Sequence, residues 1–484
     1  MDIVERKVES TVVSQTRQYA MPVGFIPTPT NEYRVNRKVQ KATVQPGKPQ
    51  GAAALPVPIP PIPVLVGPRV LLWKQDPSVS EIGVRKAFLP GLVIAGPRDA
   101  RITIQGLSPV TPNVFGDFIQ TPDTDAFDAV HTFAVVRQTL TMYQRAMGGS
   151  PLPWQWNSAT NTDPLQVFPH GLPNTMNAFY QRNIKSLKFG DFIPPGTPPG
   201  PRVFTCRSFD IVAHETGHAI LDGIKPGWLL MGNPPQTGGL HESFGDLTAI
   251  FLSLSQFDQV EAIIAQTKAD LHSKVFLADV AEQFGLALGR PTGLRNADNN
   301  LKLSETGNEV HAISQVFTGG IYDVLADIFA FERKPATRDD AAVLHAAGQY
   351  LCSLVLRAII ASPATGATYA DVVNLMLTIS LADGKPVEYR NSIRNQFSIR
   401  EVVVSSTPLT ADFADTGKGE INLKAGFQDD PDAAQDRSTC CGTMQLEEYM
   451  GGEELFTAEL DALRAVMSNG NLHSNGNSPR KRRK

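Results

Sequence analysis

The amino-acid sequence predicts an α+β fold, with mixed β/α structure first and mostly helix after it. Short β-branched runs punctuated by turn residues fill the stretch from Arg69 to Gly106, and two more, NAFYQRN and KSLKFGDF, follow further on. From Pro201 to about residue 404, apolar residues at helical spacing dominate instead. The change of character falls near residue 225. It divides the chain into a mixed β/α lobe at 69–225 and a mostly α-helical lobe at 226–404.

The elements follow in order. Residues 1–68 form a proline-rich N-terminal extension; the first 70 residues hold eleven prolines, and PVPIPPIPVLVGP favours polyproline II geometry. Such a segment suits a linker or a strap across the folded body, or a docking segment for a partner or secretion machine. The runs VLLW, LVIAG and ARITIQG read as strands. Residues 124–147 have helical apolar spacing and stop at Gly148 and Gly149. A loop-rich stretch, the two further strand runs and the proline-glycine loop IPPGTPPGPR come next. Helical patterns then cover 210–223, 241–256, 258–271, 275–288, 309–332, 338–361, 368–383 and 387–401. Residues 405–484 are a polar C-terminal tail with an acidic stretch, an amphipathic candidate helix at 453–467 and the basic end PRKRRK, read as solvated. No internal repeat recurs at a fixed period.

Composition excludes several classes of function. The 484 residues carry 44 basic and 48 acidic side chains, a net charge of -4, so no global field draws the chain to nucleic acid or an anionic membrane. Four cysteines, Cys206, Cys352, Cys440 and Cys441, are too few for a disulfide scaffold. The N-terminus, MDIVERKVESTVVSQTRQYA, has no apolar core of a secretory signal. No uncharged apolar run approaches the ~18–20 residues that span a bilayer. The expectation is a protein without Sec signal or transmembrane segment, cytoplasmic or exported by a signal-peptide-independent route.

The chemistry concentrates in His214-Glu215-Thr216-Gly217-His218. Residues four apart share one helix face, so both imidazoles can point at one metal ion, with Glu215 beside it as a base for a metal-bound water. A catalytic zinc takes three protein ligands and keeps one position open. Downstream, Gly238-Gly239-Leu240-His241-Glu242-Ser243-Phe244-Gly245-Asp246 runs into the apolar helix LTAIFLSL. Glu242 falls in its first turn as a candidate third ligand. Asp246, one turn later on the same face, can hydrogen-bond the non-ligating nitrogen of a zinc histidine. His241 projects about 100° away from Glu242 and is taken as non-ligating.

HETGHAILD followed by GGLHESFGDLTAIF resembles the gluzincin metallopeptidases, and specifically the thermolysin-like family (HExxH…E). Twenty-three residues separate His218 from Glu242, a few more than is usual there. The match spans roughly residues 120–400, through four separated motifs in the family's order. It implies a two-lobed metalloprotease with one catalytic Zn2+ in the cleft between the lobes. Asn177-Ala178-Phe179-Tyr180 is similar to the family's edge strand, whose Asn-Ala segment pairs with the substrate backbone. Asn308-Glu309-Val310-His311 is similar to the segment bearing the catalytic histidine, so His311 is implied to donate to the oxyanion. Leu294-Arg295-Asn296 resembles the motif whose arginine contacts the substrate carbonyl and the Glu ligand, and Asp222 matches the acid that supports the second zinc histidine.

The sequence also departs from the family. Where the family has a tyrosine after the zinc helix, this chain reads GIKPGWLLMG, and Trp228 offers an indole N–H alone. Asp210 matches one calcium-ligand position. The acid expected eleven residues after Glu242 is Ser253, however, so no complete Ca2+ site carries over. His131 resembles a position in the family's first-domain helix and reads as packing or hydrogen bonding; His170, His272, His345 and His473 have no acidic or histidine partner at ligand spacing, and Cys206 reads as a structural thiol.

The expected function is a zinc-dependent endopeptidase that hydrolyses peptide bonds through a zinc-bound water activated by Glu215, acting on protein or peptide. Two alternatives stay open. One is a catalytically weak or inactive zinc-stabilised binding or structural module. The other is a dedicated protein-cleaving effector or toxin, for which residues 1–68 would serve delivery.

Overall fold

Alternating burial shapes the first strands of the protein, described here from a computed structural model that covers residues 66–194, 200–230, 232–287 and 293–402. Most of the proline-rich extension, and the whole 405–484 tail with Cys440, Cys441 and the 453–467 helix, lie outside the described residues. β1 (Val66–Trp73) buries Val70 and Leu72 and pairs antiparallel with β2 (Val84–Pro90), in register from Arg69↔Phe88 to Trp73↔Val84. β2 escapes a sequence reading because its first half, Arg85 and Lys86, is exposed. The run LVIAG makes isolated bridges at Ile94 and Gly96 rather than a strand.

β3 (Ile102–Ile104) is followed by α1 (Asp125–Ala146), capped where the Thr124 hydroxyl accepts the Phe127 N–H at 3.2 Å. Such a cap contributes about 1 kcal/mol. β4 (Leu165–Leu172), β5 (Ala178–Gln181), β6 (Ser186–Phe192) and β7 (Val203–Phe204) complete a five-stranded sheet in the order β3-β4-β6-β5, with β7 on the far end of β6. The β3–β4 and β4–β6 pairs are parallel, and β5 runs antiparallel along the edge. Pro169 and Gly171 disguise β4 in sequence. The β4–β6 register slips at that point, between Phe168 and Leu172.

A 3-10 turn, Thr205–Arg207, leads into α2 (Phe209–Ile224), capped by Ser208. Then come α3 (Pro235–Leu254), α4 (Phe257–Thr267), β8 (Asp279–Val280), α5 (Glu282–Ala287), β9 (Arg295–Asn296) and α6 (Leu303–Thr306). The last four helices are α7 (Val310–Glu332), α8 (Asp340–Ala361), α9 (Tyr369–Ala382) and α10 (Val387–Ser398). The chain is thus α+β, with strands concentrated before residue 205 and helices after it. The helix expected over 275–288 is not formed as such. β8 pairs with β9, Ala281 takes a φ of +56°, and the remainder is the short α5.

α3 packs on both α2 and α7, and one buried apolar cluster runs from Val70 to Val402, across residue 225. α8 is long and apolar enough to cross a membrane by composition; 61% of its apolar window is buried within the fold, as in a core helix.

Three acids from distant segments meet under this core: Asp76 after β1, Asp210 in α2 and Glu282 in α5. All three are buried. Burial first, then the charge of Asp76, raises the Asp210 carboxyl from 3.8 to about 7. Burial and the neighbouring Asp210 and Asp76 likewise raise Glu282, and burial raises Asp76 against its bonds from Ser78. A carboxyl raised in the fold holds a proton that the unfolded chain has released, so stability falls as pH rises between the two pKa values. Asp210→Asn should therefore gain stability over the unaltered protein between pH 4 and about 7, in the presence of a chelator. The expected gain is about 1.4 kcal/mol per pH unit for each proton held. Denaturant titrations at stepped pH measure it, and parallel stability curves for the two proteins would contradict the shared-proton cluster.

Candidate metal centre

Helical geometry puts His214 and His218 on one face of α2, with ring centroids 4.6 Å apart and the planes at 89°. α3 crosses close enough to deliver Glu242 between them. His214 Nε2 lies 3.6 Å from one carboxylate oxygen and His218 Nε2 3.5 Å from the other. These separations exceed a hydrogen bond. They match two ligands about 2.1 Å from one shared ion at tetrahedral angles, which places their atoms about 3.4 Å apart. The three side chains are buried, and one ligand atom from each lies within 4.8 Å of the others. Two imidazoles and a carboxylate with this spacing are a donor set suited to zinc or a similar divalent ion.

Two glycines allow the approach. A Cβ on Gly217 would stand 2.6 Å from Thr248 Oγ1, and one on Gly245 would stand 2.5 Å from His214 Cε1. The His214 ring lies directly on the backbone of α3.

Groups around the cluster fix its rings from behind. Asp246 Oδ1 is 3.0 Å from His214 Nδ1. Arg295, on β9, in turn grips Asp246 through Nε at 2.9 Å and Nη2 at 2.7 Å. Burial alone would raise the Asp246 carboxyl, but Arg295 and His214 hold it at about 2. These bonds let Arg295 brace the carboxylate that holds the His214 ring. His311 Nε2 comes within 3.5 Å of Glu242 Oε2. Its Nδ1 is 2.8 Å from Glu309 Oε1, and the same carboxylate caps α7 by accepting the His311 and Ala312 N–H groups. Burial works against the Glu309 charge, but His311 outweighs it and the carboxyl is lowered. Glu215 is buried in α2 beside His214.

Asp222, one turn beyond His218, accepts the Tyr180 hydroxyl at 2.7 Å and the Arg182 Nε–H at 2.9 Å, with a second Arg182 bond to its other oxygen. It ties the edge strand β5 to the ligand-bearing helix. The group found at His218 Nδ1 is His241 Nδ1, 2.8 Å away. Asn177 and Ala178 stand where β5 begins. The Asn177 carbonyl accepts Gly190 N–H at 2.9 Å, its side-chain oxygen accepts Ala178 N–H at 2.8 Å, and Ala178 pairs with Phe189. Trp228 is buried with its indole N–H donated to the Pro363 carbonyl at 3.0 Å, so it offers nothing to an oxyanion. Ser253, at the expected calcium position, accepts from Gln75 at 2.7 Å.

Sequence reasoning missed Glu309 and His241 as supports, and it missed the partners of two other histidines. His170 meets Asp128 at 3.0 Å and His272 meets Asp298 at 2.9 Å. Each belongs to a further group of ligand-type atoms, Asp128–His170–Cys206 and His272–Asp298–Asp323. In both, a guanidinium already occupies a carboxylate: Arg207 on Asp128 and Arg400 on Asp323, each at 2.7 Å. Burial also holds the Cys206 thiol far above its ordinary value. His131 accepts Trp73 N–H at 3.2 Å, and burial lowers it to about 4, leaving it neutral.

Gly245→Ala tests the geometry. The added methyl must displace the His214 ring, so metal affinity measured against a chromophoric chelator should fall at least about 10-fold. Unaltered affinity would show that the ring does not hold the ion.

No family model and no curated protein matches this sequence. Among solved structures the chain is similar to the precursor of protealysin, a metalloproteinase from Serratia proteamaculans, at 16% identity over 62% of this chain and 85% of that one, with a TM-score of 0.40.

Proposed function

We propose that the protein is a zinc-dependent, thermolysin-like metalloendopeptidase. The observation that carries this reading is the convergence of His214, His218 and Glu242 with Glu215 one residue along from the first ligand. His214 Nε2, His218 Nε2 and the Glu242 carboxylate would hold the ion. A bound zinc would acidify a water and polarise the scissile carbonyl.

The chain's own groups do the rest. Glu215 takes a proton from the attacking water and delivers it to the leaving amine, work that contributes about 10²–10⁴-fold. His311, its Nδ1 held by the Glu309 carboxylate, presents Nε2 as the donor to the developing oxyanion. Arg295 aligns His214 by holding Asp246. Asn177 and Ala178 begin an edge strand whose outer side faces no other strand among the described residues, so an extended peptide can add there. The Asp222 bonds to Tyr180 and Arg182 keep that peptide in a fixed position relative to the ion. On this reading 69–225 and 226–404 are the two lobes, and residues 1–68 are available for docking.

Glu215→Gln should abolish chelator-sensitive cleavage of unfolded casein while zinc stoichiometry stays near one. Unchanged turnover in that variant would refute the mechanism. Glu309→Gln should lower kcat by about 10–100-fold with zinc affinity nearly unaltered, and an effect on zinc affinity alone would place Glu309 in metal binding instead.

A further inference from the structure

Away from the candidate metal centre, the C-terminal ends of α1 and α3 meet α8 around a cleft of about 410 Å³. That volume falls within the range of small-molecule sites, about 300–1,000 Å³. Its nearest residue on α3, Phe251, lies about 13 Å along the helix from Glu242. Met142, Ala146, Phe251 and Cys352 give the cleft an apolar wall. Most of its polar groups are bonded within the protein. Ser255 donates to the Leu252 carbonyl at 2.7 Å, and Ser353 to the Ala146 carbonyl at 3.1 Å. His345 donates its Nδ1–H to the Leu254 carbonyl at 2.8 Å. Burial lowers that ring from its ordinary value, so it is neutral and its Nε2 accepts the Gln349 amide at 2.8 Å.

Arg145 differs from these. It is the one charged side chain among the lining residues, and it makes no ion pair among the described residues. Its place in the last turn of α1 suits the helix dipole, but the carbonyls there are already taken. Met147 N–H bonds the Tyr143 carbonyl at 3.1 Å, Gly149 that of Gln144 at 2.7 Å and Gly148 that of Arg145 at 2.9 Å, while Ser353 holds that of Ala146. The guanidinium stands at the rim, open to solvent, with enough protein around it that burial lowers it from its ordinary value. A planar fork of donors beside an apolar wall matches a carboxylate carried on an apolar body.

We propose that this cleft binds a small organic carboxylate, its charged end paired with Arg145 and its apolar body resting on Met142 and Phe251. One carboxylate balances one guanidinium, whereas a phosphate brings further charge that no lining residue meets. The site stands apart from the peptidase reading and does not depend on it. Because the cleft joins α1, α3 and α8, the bound carboxylate holds three helices together and stabilises the folded chain as its concentration rises.

The test titrates the full chain with 4-phenylbutanoate, read by the thermal unfolding midpoint and by saturation-transfer NMR of the ligand. The matching alcohol, 4-phenylbutan-1-ol, and inorganic phosphate are titrated alongside at constant ionic strength. The carboxylate should saturate with a Kd of about 1 mM, and the alcohol and phosphate should bind at least about 10-fold more weakly. Arg145→Gln, at an exposed position, should weaken the carboxylate at least about 10-fold, and Arg145→Lys, which keeps the charge without the fork, about 3-fold. Carboxylate binding that survives Arg145→Gln, as binding at the metal centre would, overturns the proposal. So does the absence of saturation below about 10 mM. Equal affinity for the alcohol would make the cleft merely apolar, and equal affinity for phosphate would make it a site for inorganic anions; either result overturns the carboxylate assignment.

Discussion

Helices α2 and α3 touch where Gly217 and Gly245 put no side chain between them, and the arrangement of the site depends on that contact. It sets the His214 ring on the α3 backbone and brings Glu242 within 3.6 Å of two imidazoles at once. A wider crossing would leave two histidines and a distant acid. The same closeness buries the acid and both rings, a costly state for polar groups unless they are bound to something. The convergence of the three side chains and the packing of the two helices are therefore one constraint.

Around that contact, other segments each supply one bond to the back of a ring. β9 brings Arg295 to Asp246, the first turn of α7 brings Glu309 to His311, and α3 itself brings His241 to His218. These supports orient imidazoles that would otherwise rotate. Asp222 extends the same logic outward, joining the edge strand to α2 through Tyr180 and Arg182. An edge strand is thereby fastened to the helix that carries two of the candidate ligands.

Local periodicity made much of this legible in the sequence. The helix expected over 210–223 is found at Phe209–Ile224, and that over 309–332 at Val310–Glu332, because apolar residues recur at 3.6-residue spacing along them. Spacing by four placed His214 and His218 on one face, and likewise Glu242 and Asp246. Contacts between distant segments were not legible. Asp222 is i+4 from His218, and no local spacing announces its bonds to Tyr180 and Arg182, some forty residues earlier. His241 looked idle because it faces away from Glu242, and nothing local says that α2 lies there. His170 and His272 lacked acids at ligand spacing but found them across folded chain, at Asp128 and Asp298. β4 was hidden by its own proline and glycine, tolerated where the register slips.

The most direct test of the central claim is to locate one equivalent of zinc in the protein by its anomalous X-ray scattering. The account predicts a single strong peak within about 2.0–2.2 Å of His214 Nε2, His218 Nε2 and a Glu242 oxygen. A peak at His272, Asp298 and Asp323 instead, or none at all, would contradict it.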